Sequence, residues 1–452
     1  MSDHNAFDPH RSALFTDLYE LTMLQAYYAE GMTATAVFEL FFRKLPDKRN
    51  YVMAAGLDEV LSYLENLRFT KDELDWLRQL GDFNESFLET LRSFRFTGDV
   101  YAVPEGTIVF ENEPVLQVIA PLPEAQLIET FVLNQIHLQS VAASKAARVV
   151  TAAQGRNIVD FGSRRSHGTD AALKVARASY LAGAVGTSNV AASRIYGVPA
   201  FGTMAHSYIQ AHSDELSAYR AFTQAFPETT LLVDTYDTLA GVRKVIELSR
   251  ELGENFKVQS IRLDSGDLAE LAKESRKLLD EVGLNHIKII ASSGLNEHKI
   301  AALLAAGAPI DGFGVGTELA VSSDVPEIDF SYKLVAYDGQ PRMKLSSSKL
   351  LLPDRKQVFR VVEQGQMLHD MLARFAETEN GKPLLEPVMS NGQRLAAGRV
   401  TLEQAREYAK GQLALLPPEL KALEPAEKGY LVGTSAQLRE ITENLERELT
   451  QN

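Results

Sequence analysis

The stretch GTMAHS places one histidine, His206, among small residues after a short apolar run. A histidine at the end of a buried strand can act as an acid, a base, a metal ligand or a nucleophile. Taken alone, such a residue is more often a hydrogen-bonded member of the core. The motifs around it must therefore decide between these interpretations.

The segment DFGSRRSHG ends another apolar run with Phe161 and the pair Arg164 and Arg165. A guanidinium group is always charged and matches a carboxylate or a phosphate with its planar fork. An aromatic ring beside it can stack on a flat ligand. The alternative interpretation is a surface arginine pair next to a core phenylalanine.

The segment IRLDSGD places Arg262, Asp264 and Asp267 after a third apolar run. Acidic residues at this point can hold ribose hydroxyls or a Mg²⁺ ion. Alternatively, Asp264 or Ser265 caps the helix that begins near Leu268. Both interpretations can hold for different residues of the segment.

Two loops of small residues come later in the chain. ASSGL contains Ser293 and Gly294, and GFGVGTEL contains Gly316 and Thr317. The backbone N–H groups of such loops can bind phosphate. The run GFGVGT has the spacing G-x-G-x-G and not G-x-G-x-x-G, so it indicates a dinucleotide fold only weakly.

Seven short apolar runs that end in small or polar residues alternate with mostly helical segments from residue 157 onward. Such alternation predicts a parallel sheet, here an irregular parallel α/β barrel. The runs are NIVDFGSRR (157–165), AGAVGTSN (182–189), AFGTMAHS (200–207), TLLVDTYD (230–237), VQSIRLDSGD (258–267), IKIIASSG (287–294) and IDGFGVGTE (310–318). The carboxyl ends of parallel strands share one face, which brings His206 towards Arg164, Arg262, Asp264 and a phosphate loop. This convergence favours a functional His206 over a core one.

The flanking segments predict helices and antiparallel strands. Helices are expected over 16–31, 71–94, 124–154 and 401–416, and strands over 97–121 and 330–362. Asp17 with Glu20, and Thr401 with Gln404, have the spacing of capping boxes. We expect three parts: a discontinuous helical and β-rich domain (1–140 with 325–400), the barrel (141–324) and a helical C-terminal extension (401–452).

Composition excludes several classes of function. The 452 residues are too many for one compact core, and the absence of cysteine excludes disulfides and thiolate zinc sites. A formal charge of −14 argues against a nucleic-acid partner. No apolar run reaches the roughly 18 residues of a membrane span, and the N-terminus lacks the apolar core of a signal peptide. We therefore expect a cytoplasmic protein.

Eight motifs together resemble the nicotinate phosphoribosyltransferase family, within the type II phosphoribosyltransferases. They run in the family's order from about residue 14 to about residue 365: FTDLYELTM, FELFFRKLP, DFGSRRSHG, GTSNVAA, GTMAHS, RLDSGDL, GVGT and MKLSSSK. The resemblance implies an irregular α/β barrel joined to a β-rich domain. It also implies transfer of phosphoribose from phosphoribosyl pyrophosphate to nicotinate, in NAD biosynthesis. ATP hydrolysis would be coupled through a phosphohistidine, which places the enzyme among the ATP-dependent ligases, and Mg²⁺ would neutralise the pyrophosphate.

The resemblance also implies roles for individual residues. His206 would accept the phosphoryl group, and Asp264 would hold the ribose. The active site would lie at the interface of a homodimer. The residues expected to contact nicotinate are Tyr19 (from the neighbouring subunit), Phe161, Arg164, Ser188, Thr203 and Arg262, with Arg165 open as an alternative to Arg164. Those expected at the 5-phosphate are Ser293, Gly294, Gly316 and Thr317.

Ser188 bears on which substrate is used. Nicotinamide-using relatives resemble this chain at GTSNVAA but carry an aspartate where Ser188 stands, and an aspartate would repel a carboxylate. The serine therefore favours nicotinate over nicotinamide. Quinolinate phosphoribosyltransferase and a sugar-phosphate barrel enzyme are the further alternatives, the latter weakened by the lack of a lysine at the seven strand ends. A non-catalytic phosphate-binding barrel would leave His206 unexplained.

Overall fold

A computed structural model of the chain describes residues 12–345 and 351–451. Within them the chain divides into two compact units. The first unit comprises the residues up to Val141 and those from Glu327 onward, and the second comprises Ala142–Pro326.

The helices and strands of the described residues are numbered in chain order. The helices are α1 Leu18–Glu30, α2 Leu57–Asn66, α3 Lys71–Leu80, α4 Glu85–Arg92, α5 Leu122–Leu127, α6 Glu129–Ala152, α7 Thr169–Leu181, α8 Val190–Tyr196, α9 His206–Gln210, α10 Glu215–Ala225, α11 Thr238–Leu252, α12 Leu268–Asp280, α13 Glu297–Ala305, α14 Thr317–Ala320, α15 Leu402–Leu415, α16 Pro418–Lys421 and α17 Ala436–Gln451. The strands are β1 Thr35–Phe42, β2 Val52–Met53, β3 Asp99–Ala102, β4 Ile108–Val109, β5 Leu116–Pro121, β6 Asn157–Asp160, β7 Gly186–Thr187, β8 Thr230–Leu232, β9 Ser260–Leu263, β10 Lys288–Ala291, β11 Gly312–Val315, β12 Phe330–Tyr337, β13 Gln340–Pro341, β14 Lys356–Glu363, β15 Gln366–Arg374, β16 Lys382–Pro383, β17 Glu386–Ser390, β18 Gln393–Arg394 and β19 Val432–Thr434.

The first unit is built on a seven-stranded sheet with the order β13-β12-β1-β5-β3-β17-β18. β1 pairs antiparallel with both β5 and β12, so strands from the two ends of the chain share this sheet. Phe38 of β1 stacks on Tyr332 of β12 with ring centroids 4.9 Å apart. A second sheet, β16-β14-β15-β19, takes its last strand from the segment predicted as a C-terminal extension, and the described part of that segment falls within the first unit.

The second unit contains a six-stranded parallel sheet with the order β7-β6-β11-β10-β9-β8. Most residues of its strands are buried, among them Ile158, Leu231, Ile261, Ile289 and Phe313, as expected for a sheet covered on both faces. The sheet curls into an incomplete barrel, which confirms the predicted α/β class.

One of the seven predicted strands, the third in chain order, is wrong. AFGTMAHS forms only a single parallel bridge, between Ala200 and Thr187, and then a loop that leads into α9 at His206. Pro199 has no N–H to donate to a ladder, and this helps to explain why pairing does not extend. The short crossover before it contains α8, which ends at Gly197 in the left-handed conformation (φ 71°).

One of the two predicted capping boxes is wrong and the other is confirmed. Thr401 and Gln404 form a complete box at the start of α15. At α1, Asp17 is the N-cap residue but makes no capping hydrogen bond, because its carboxylate accepts instead from Thr130 Oγ1 at 2.7 Å. The Glu20 side chain turns inward and accepts from Gln126 Nε2 at 3.0 Å.

Candidate active site

The sheet order of the second unit gathers the predicted site residues at one edge. β11 lies between β6 and β10, and β9 lies on the other side of β10. The loops after these four strands carry the DFGSRR, RLDSGD, SSG and GVGT motifs. Because the strands are parallel, the loops that follow them all leave from the same edge.

A cleft of about 320 Å³ opens at this edge. Its lining residues are Phe161, Ser163, Arg164, Ser188, Gly202, Thr203, Met204, Ala205 and Arg262. All five residues of the second unit that were predicted to contact nicotinate are among them. Arg165 is not among these lining residues, so the cleft favours Arg164 over its neighbour.

Gly314, on the adjacent strand β11, leaves room for the Phe161 ring. The backbone N–H of Phe161 donates to the carbonyl of Val315 at 2.8 Å, which holds the start of the loop against β11. A Cβ at Gly314 would lie 2.4 Å from two ring atoms of Phe161, so only glycine leaves room for the ring there. The guanidinium carbon of Arg262 lies 6.0 Å from the ring centroid, the outer limit of a cation–π contact.

Arg262 joins three loops of the site. Its Nη1 donates to Thr203 Oγ1 at 2.5 Å, and its Nε donates to Ser292 Oγ at 3.0 Å. Its Nη2 lies 3.4 Å from Asp264 Oδ2. The arginine is therefore held in a fixed orientation, and Thr203 and Asp264 are brought beside it.

His206 and Asp264 face each other. The Nε2 atom of His206 lies 3.7 Å from Asp264 Oδ2, while its Nδ1 atom lies 3.1 Å from Thr235 Oγ1. Ser292 Oγ donates to the other carboxylate oxygen of Asp264. The His206 side chain is 39% exposed, which is inconsistent with a core histidine.

The residue that caps α12 is not Asp264. Asp267 is the N-cap of α12, and its carboxylate accepts from the backbone N–H groups of Ala269 and Glu270. The alternative interpretation, in which Asp264 or Ser265 caps this helix, is wrong. Asp264 is therefore free of a capping role.

Three polar residues that belong to this cluster were not predicted: Asp234, Thr235 and Ser292. Asp234 is buried, and its Oδ2 accepts from the Asp264 backbone N–H at 2.9 Å and from Ser265 Oγ at 2.6 Å. The signal was present, since TLLVDTYD and ASSGL put these polar residues directly after apolar strands. A polar residue in that place is equally typical of a helix cap, so the pattern alone does not assign these residues to a site.

The two predicted phosphate loops follow the neighbouring strands β10 and β11. Ser293 and Gly294 are exposed and adopt consecutive left-handed conformations, with φ of 87° and 56°. Lys299 Nζ donates to the carbonyl of Gly294 at 2.6 Å and closes the turn. Gly316 precedes α14, which begins at Thr317.

Two predicted features lie elsewhere in the chain. Tyr19 is on α1 of the first unit and is 47% exposed, and its assignment to a neighbouring subunit's site stays a prediction. The motif MKLSSSK lies partly outside the described residues, from Ser346 onward. None of the helices in residues 12–345 and 351–451 has the length and apolar character needed to cross a membrane.

Comparison with known proteins points to one family. Sequence models of the nicotinate phosphoribosyltransferase (NAPRTase) N-terminal domain and of the NAPRTase family match residues 14–137 and 156–346. The chain is 60% identical over 430 residues to nicotinate phosphoribosyltransferase pncB2 of Mycobacterium tuberculosis, covering 95% of this chain and 93% of the relative. It is 37% identical over 478 residues to nicotinate phosphoribosyltransferase of Bacillus subtilis, with 97% of each chain covered.

A solved structure matches as well. The crystal structure of human nicotinic acid phosphoribosyltransferase superposes with a TM-score of 0.85 at 29% identity, over 95% of this chain and 99% of that one. The type II phosphoribosyltransferase fold implied by the motifs is thereby confirmed. The chain belongs to the nicotinate phosphoribosyltransferase family.

Proposed function

We propose that this chain transfers the phosphoribosyl group of phosphoribosyl pyrophosphate to nicotinate, with coupled ATP hydrolysis through a phosphohistidine, in NAD biosynthesis. One observation carries the proposal. A single cleft is lined by Phe161, Arg164, Ser188, Thr203 and Arg262, and the Arg262 guanidinium lies 3.4 Å from the Asp264 carboxylate, which faces His206.

The cleft suits a flat, anionic ring. Phe161 offers a face for stacking, and the two arginines offer forks for the carboxylate. Ser188 adds a hydroxyl where an aspartate would repel that carboxylate. Nicotinate therefore fits better than nicotinamide, whose NH₂ would lack an anionic acceptor.

The transfer step needs positioning more than covalent chemistry. The ring nitrogen of nicotinate attacks C1 of the ribose, the bond from C1 to the pyrophosphate oxygen breaks, and pyrophosphate leaves with the bonding electrons. Positive charge develops on the ribose ring in the transition state, and the Asp264 carboxylate is suited to stabilise it. The Ser293–Gly294 and Gly316–Thr317 turns would hold the 5-phosphate and so place C1 in line.

His206 is suited to accept a phosphoryl group from ATP. If Nδ1 donates to Thr235, the lone pair of Nε2 is free to attack the γ-phosphorus, and ADP leaves. Hydrolysis of the N–P bond then returns the imidazole and releases inorganic phosphate. The phosphorylated imidazole would lie beside Asp264, where its charge can alter the binding of the pyrophosphate donor.

Mg²⁺ fits this edge only together with the substrate. The described residues contain no group of three or more histidines and acidic residues that could hold a metal ion. In the described part of the chain, Asp234 has a buried Oδ1 atom without a hydrogen-bond partner. Asp234 and Asp264 would supply one or two carboxylates to the ion, beside the phosphates of the substrate. When bound, Mg²⁺ would neutralise the leaving pyrophosphate.

The proposal includes a homodimer in which Tyr19 of one subunit covers the nicotinate site of the other. Its partial exposure on α1 is consistent with that role. A cytoplasmic location is also proposed, because a chain that cannot form disulfides is compatible with a reducing compartment.

The test is a turnover assay with purified protein. Phosphoribosyl pyrophosphate and Mg²⁺ are combined with nicotinate or nicotinamide, with and without ATP, and the mononucleotide and ADP are quantified. We expect conversion of nicotinate, a higher rate with ATP, and loss of the ATP effect in His206→Ala. His212→Ala is the matched control, because His212 lies on the same segment with its Nδ1 on the carbonyl of Tyr208.

Other outcomes contradict separate parts of the proposal. Preferred use of nicotinamide would contradict the role of Ser188, and Ser188→Asp should shift the preference in that direction. An ATP effect that survives in His206→Ala would contradict the phosphohistidine. No conversion of either base by folded protein would overturn the proposed function as a whole.

A further inference from the structure

A lysine is buried in the second unit. Lys145 of α6 is 1% exposed, and its Nζ lies 2.7 Å from Glu297 Oε2 and 2.7 Å from Asp324 Oδ1. Arg148, one helical turn later, places its Nε 3.1 Å from the other oxygen of Glu297. A buried ammonium thus bridges two carboxylates that are far from it in the sequence.

The two carboxylates follow the two phosphate loops. Glu297 is the first residue of α13, which begins just after the Ser293–Gly294 turn. Asp324 comes shortly after α14, which begins at Thr317. One cation therefore joins the chain segments that leave both turns.

The ion pairs of this network hold Glu297 as a charged group in the interior. Burial by itself raises the pKa of Glu297, but the Lys145 ammonium together with a backbone hydrogen bond holds the pKa below its usual value. Glu297 is fully buried, so its charge depends on these cations. Without the Lys145 ammonium, the glutamate would keep its partner on α6 through Arg148 but lose the connection to Asp324.

We propose that Lys145 is a positioning residue that fixes the two phosphate-binding turns relative to each other, so that binding of the phosphoribosyl donor depends on it. The inference rests on the proposed function, because it assumes that these turns hold the 5-phosphate. Lys145 itself touches no substrate. Its effect is exerted through the spacing of the turns, to which a phosphate bound by both is sensitive.

The test compares Lys145→Met with Lys244→Met. Lys244 Nζ lies 2.7 Å from the fully buried Glu215, so this control also breaks an ion pair with a buried glutamate, but between α10 and α11. We expect Lys145→Met to raise KM for phosphoribosyl pyrophosphate by about tenfold and to change KM for nicotinate by less than about twofold. Lys244→Met should lower the unfolding temperature and leave both KM values unchanged.

A merely structural lysine gives a different result. If Lys145→Met lowers the unfolding temperature and changes neither KM, or changes both KM values equally, the proposal is wrong. If Lys145→Met fails to fold, Asp324→Asn replaces it, because this substitution leaves the Lys145–Glu297 pair in place and weakens the link to the second turn. That variant should raise KM for the donor alone.

A third variant separates this inference from the proposed function. Thr317→Val removes a hydroxyl from the second turn itself and should raise KM for phosphoribosyl pyrophosphate if the turn binds the donor. No effect of Thr317→Val would contradict the assignment of the turn. An effect of Thr317→Val without one of Lys145→Met would overturn only the positioning role of Lys145.

Discussion

Each unit contains an arginine beside an aspartate and a third titratable side chain, but the two clusters differ in their access to solvent. In the first unit, Arg360, Asp370 and Glu113 are 3%, 0% and 1% exposed. In the second unit, Arg262, Asp264 and His206 are 15%, 26% and 39% exposed. We call them the closed cluster and the open cluster.

Arg360 and Asp370 of the closed cluster use their hydrogen-bonding capacity internally. Arg360 donates from Nη2 to Asp370 at 2.5 Å and from Nε to the same carboxylate at 3.0 Å. Tyr430 Oη donates to that carboxylate at 2.9 Å, and its ring stacks on Phe110 with centroids 3.9 Å apart. Such a cluster holds strands together and offers no surface to a ligand.

The open cluster leaves part of its hydrogen-bonding capacity unused. Asp264 Oδ2 lies 3.4 Å from Arg262 and 3.7 Å from His206, which are looser contacts than those of the closed cluster. A bound ligand can take up this capacity without breaking a strong internal bond. The same residue types therefore stabilise the protein when closed and bind ligands when open, so changes in the two clusters should have separable effects.

The largest effect is expected from Arg360→Met in the closed cluster. Removal of one partner of a buried ion pair lowers the free energy of unfolding by about 3–5 kcal/mol. Both KM values should stay unchanged in the protein that remains folded. Urea unfolding with parallel kinetics checks this, and Arg78→Met is the control, because Arg78 pairs with Glu85 on the surface and should matter little. A change in KM with unaltered stability would break the comparison.

The next effect is expected from Asp264→Asn in the open cluster. The substitution keeps the size of the side chain but removes the negative charge, so kcat should fall by about 10²–10³-fold. The urea midpoint should hardly move. Asp267→Asn is the matched control, since asparagine caps a helix as well as aspartate does. A loss of stability in Asp264→Asn as large as that of Arg360→Met would show that the open cluster is structural.

A steric change should sharpen the contrast inside the second unit. Gly314→Ala places a Cβ 2.4 Å from the Phe161 ring and must displace it. KM for nicotinate should rise by about tenfold, with a smaller change for phosphoribosyl pyrophosphate. Gly312→Ala is the control on the same strand, because its Cβ would first meet the flexible end of Ile290 at 3.1 Å. Equal effects of both variants would contradict a specific role for the ring position.

The smallest effect concerns pH and the closed cluster. Burial, together with the nearby Asp370, raises the pKa of Glu113 well above its usual value of 4.5. Since the folded-state pKa is the higher one, this stabilisation is complete below about pH 4.5 and is lost as pH rises through the folded-state pKa. Glu113→Gln keeps a neutral side chain, so its unfolding free energy should decline less between about pH 5 and 9 than that of the wild type. Parallel slopes would show that Glu113 is charged in the folded protein.

Sequence reasoning located the open cluster because its residues follow apolar runs. Alternating strands and helices predict a parallel sheet, and parallel strands bring their carboxyl ends to one edge. The sheet order could not be predicted, since no local pattern states that β6 pairs with β11. That pairing places Phe161 against Gly314. The need for glycine at position 314 therefore follows from the fold and not from the sequence.

The closed cluster could not have been predicted in the same way. Arg360 and Asp370 are cross-strand partners in the β14–β15 hairpin, but Glu113 reaches them only through tertiary structure, and a charged residue within a strand usually indicates a solvent-facing side. The failed capping box at α1 has a related cause. Glu20 has the correct spacing for a capping box, but its buried carboxylate accepts a hydrogen bond from Gln126 instead.

The pairing of β1 with both β5 and β12 has a consequence for synthesis on the ribosome. Arg43, next to β1, and Ser331 of β12 are hydrogen-bonded across 288 residues of chain. At about 5–20 residues per second, the ribosome needs roughly 15–60 seconds to deliver the second partner after the first. Through that interval the outer edge of β1 has no strand beside it, while the whole second unit emerges. The unpaired edge exposes the nascent chain to aggregation, and chaperone supply during translation should affect its yield more than its stability after release.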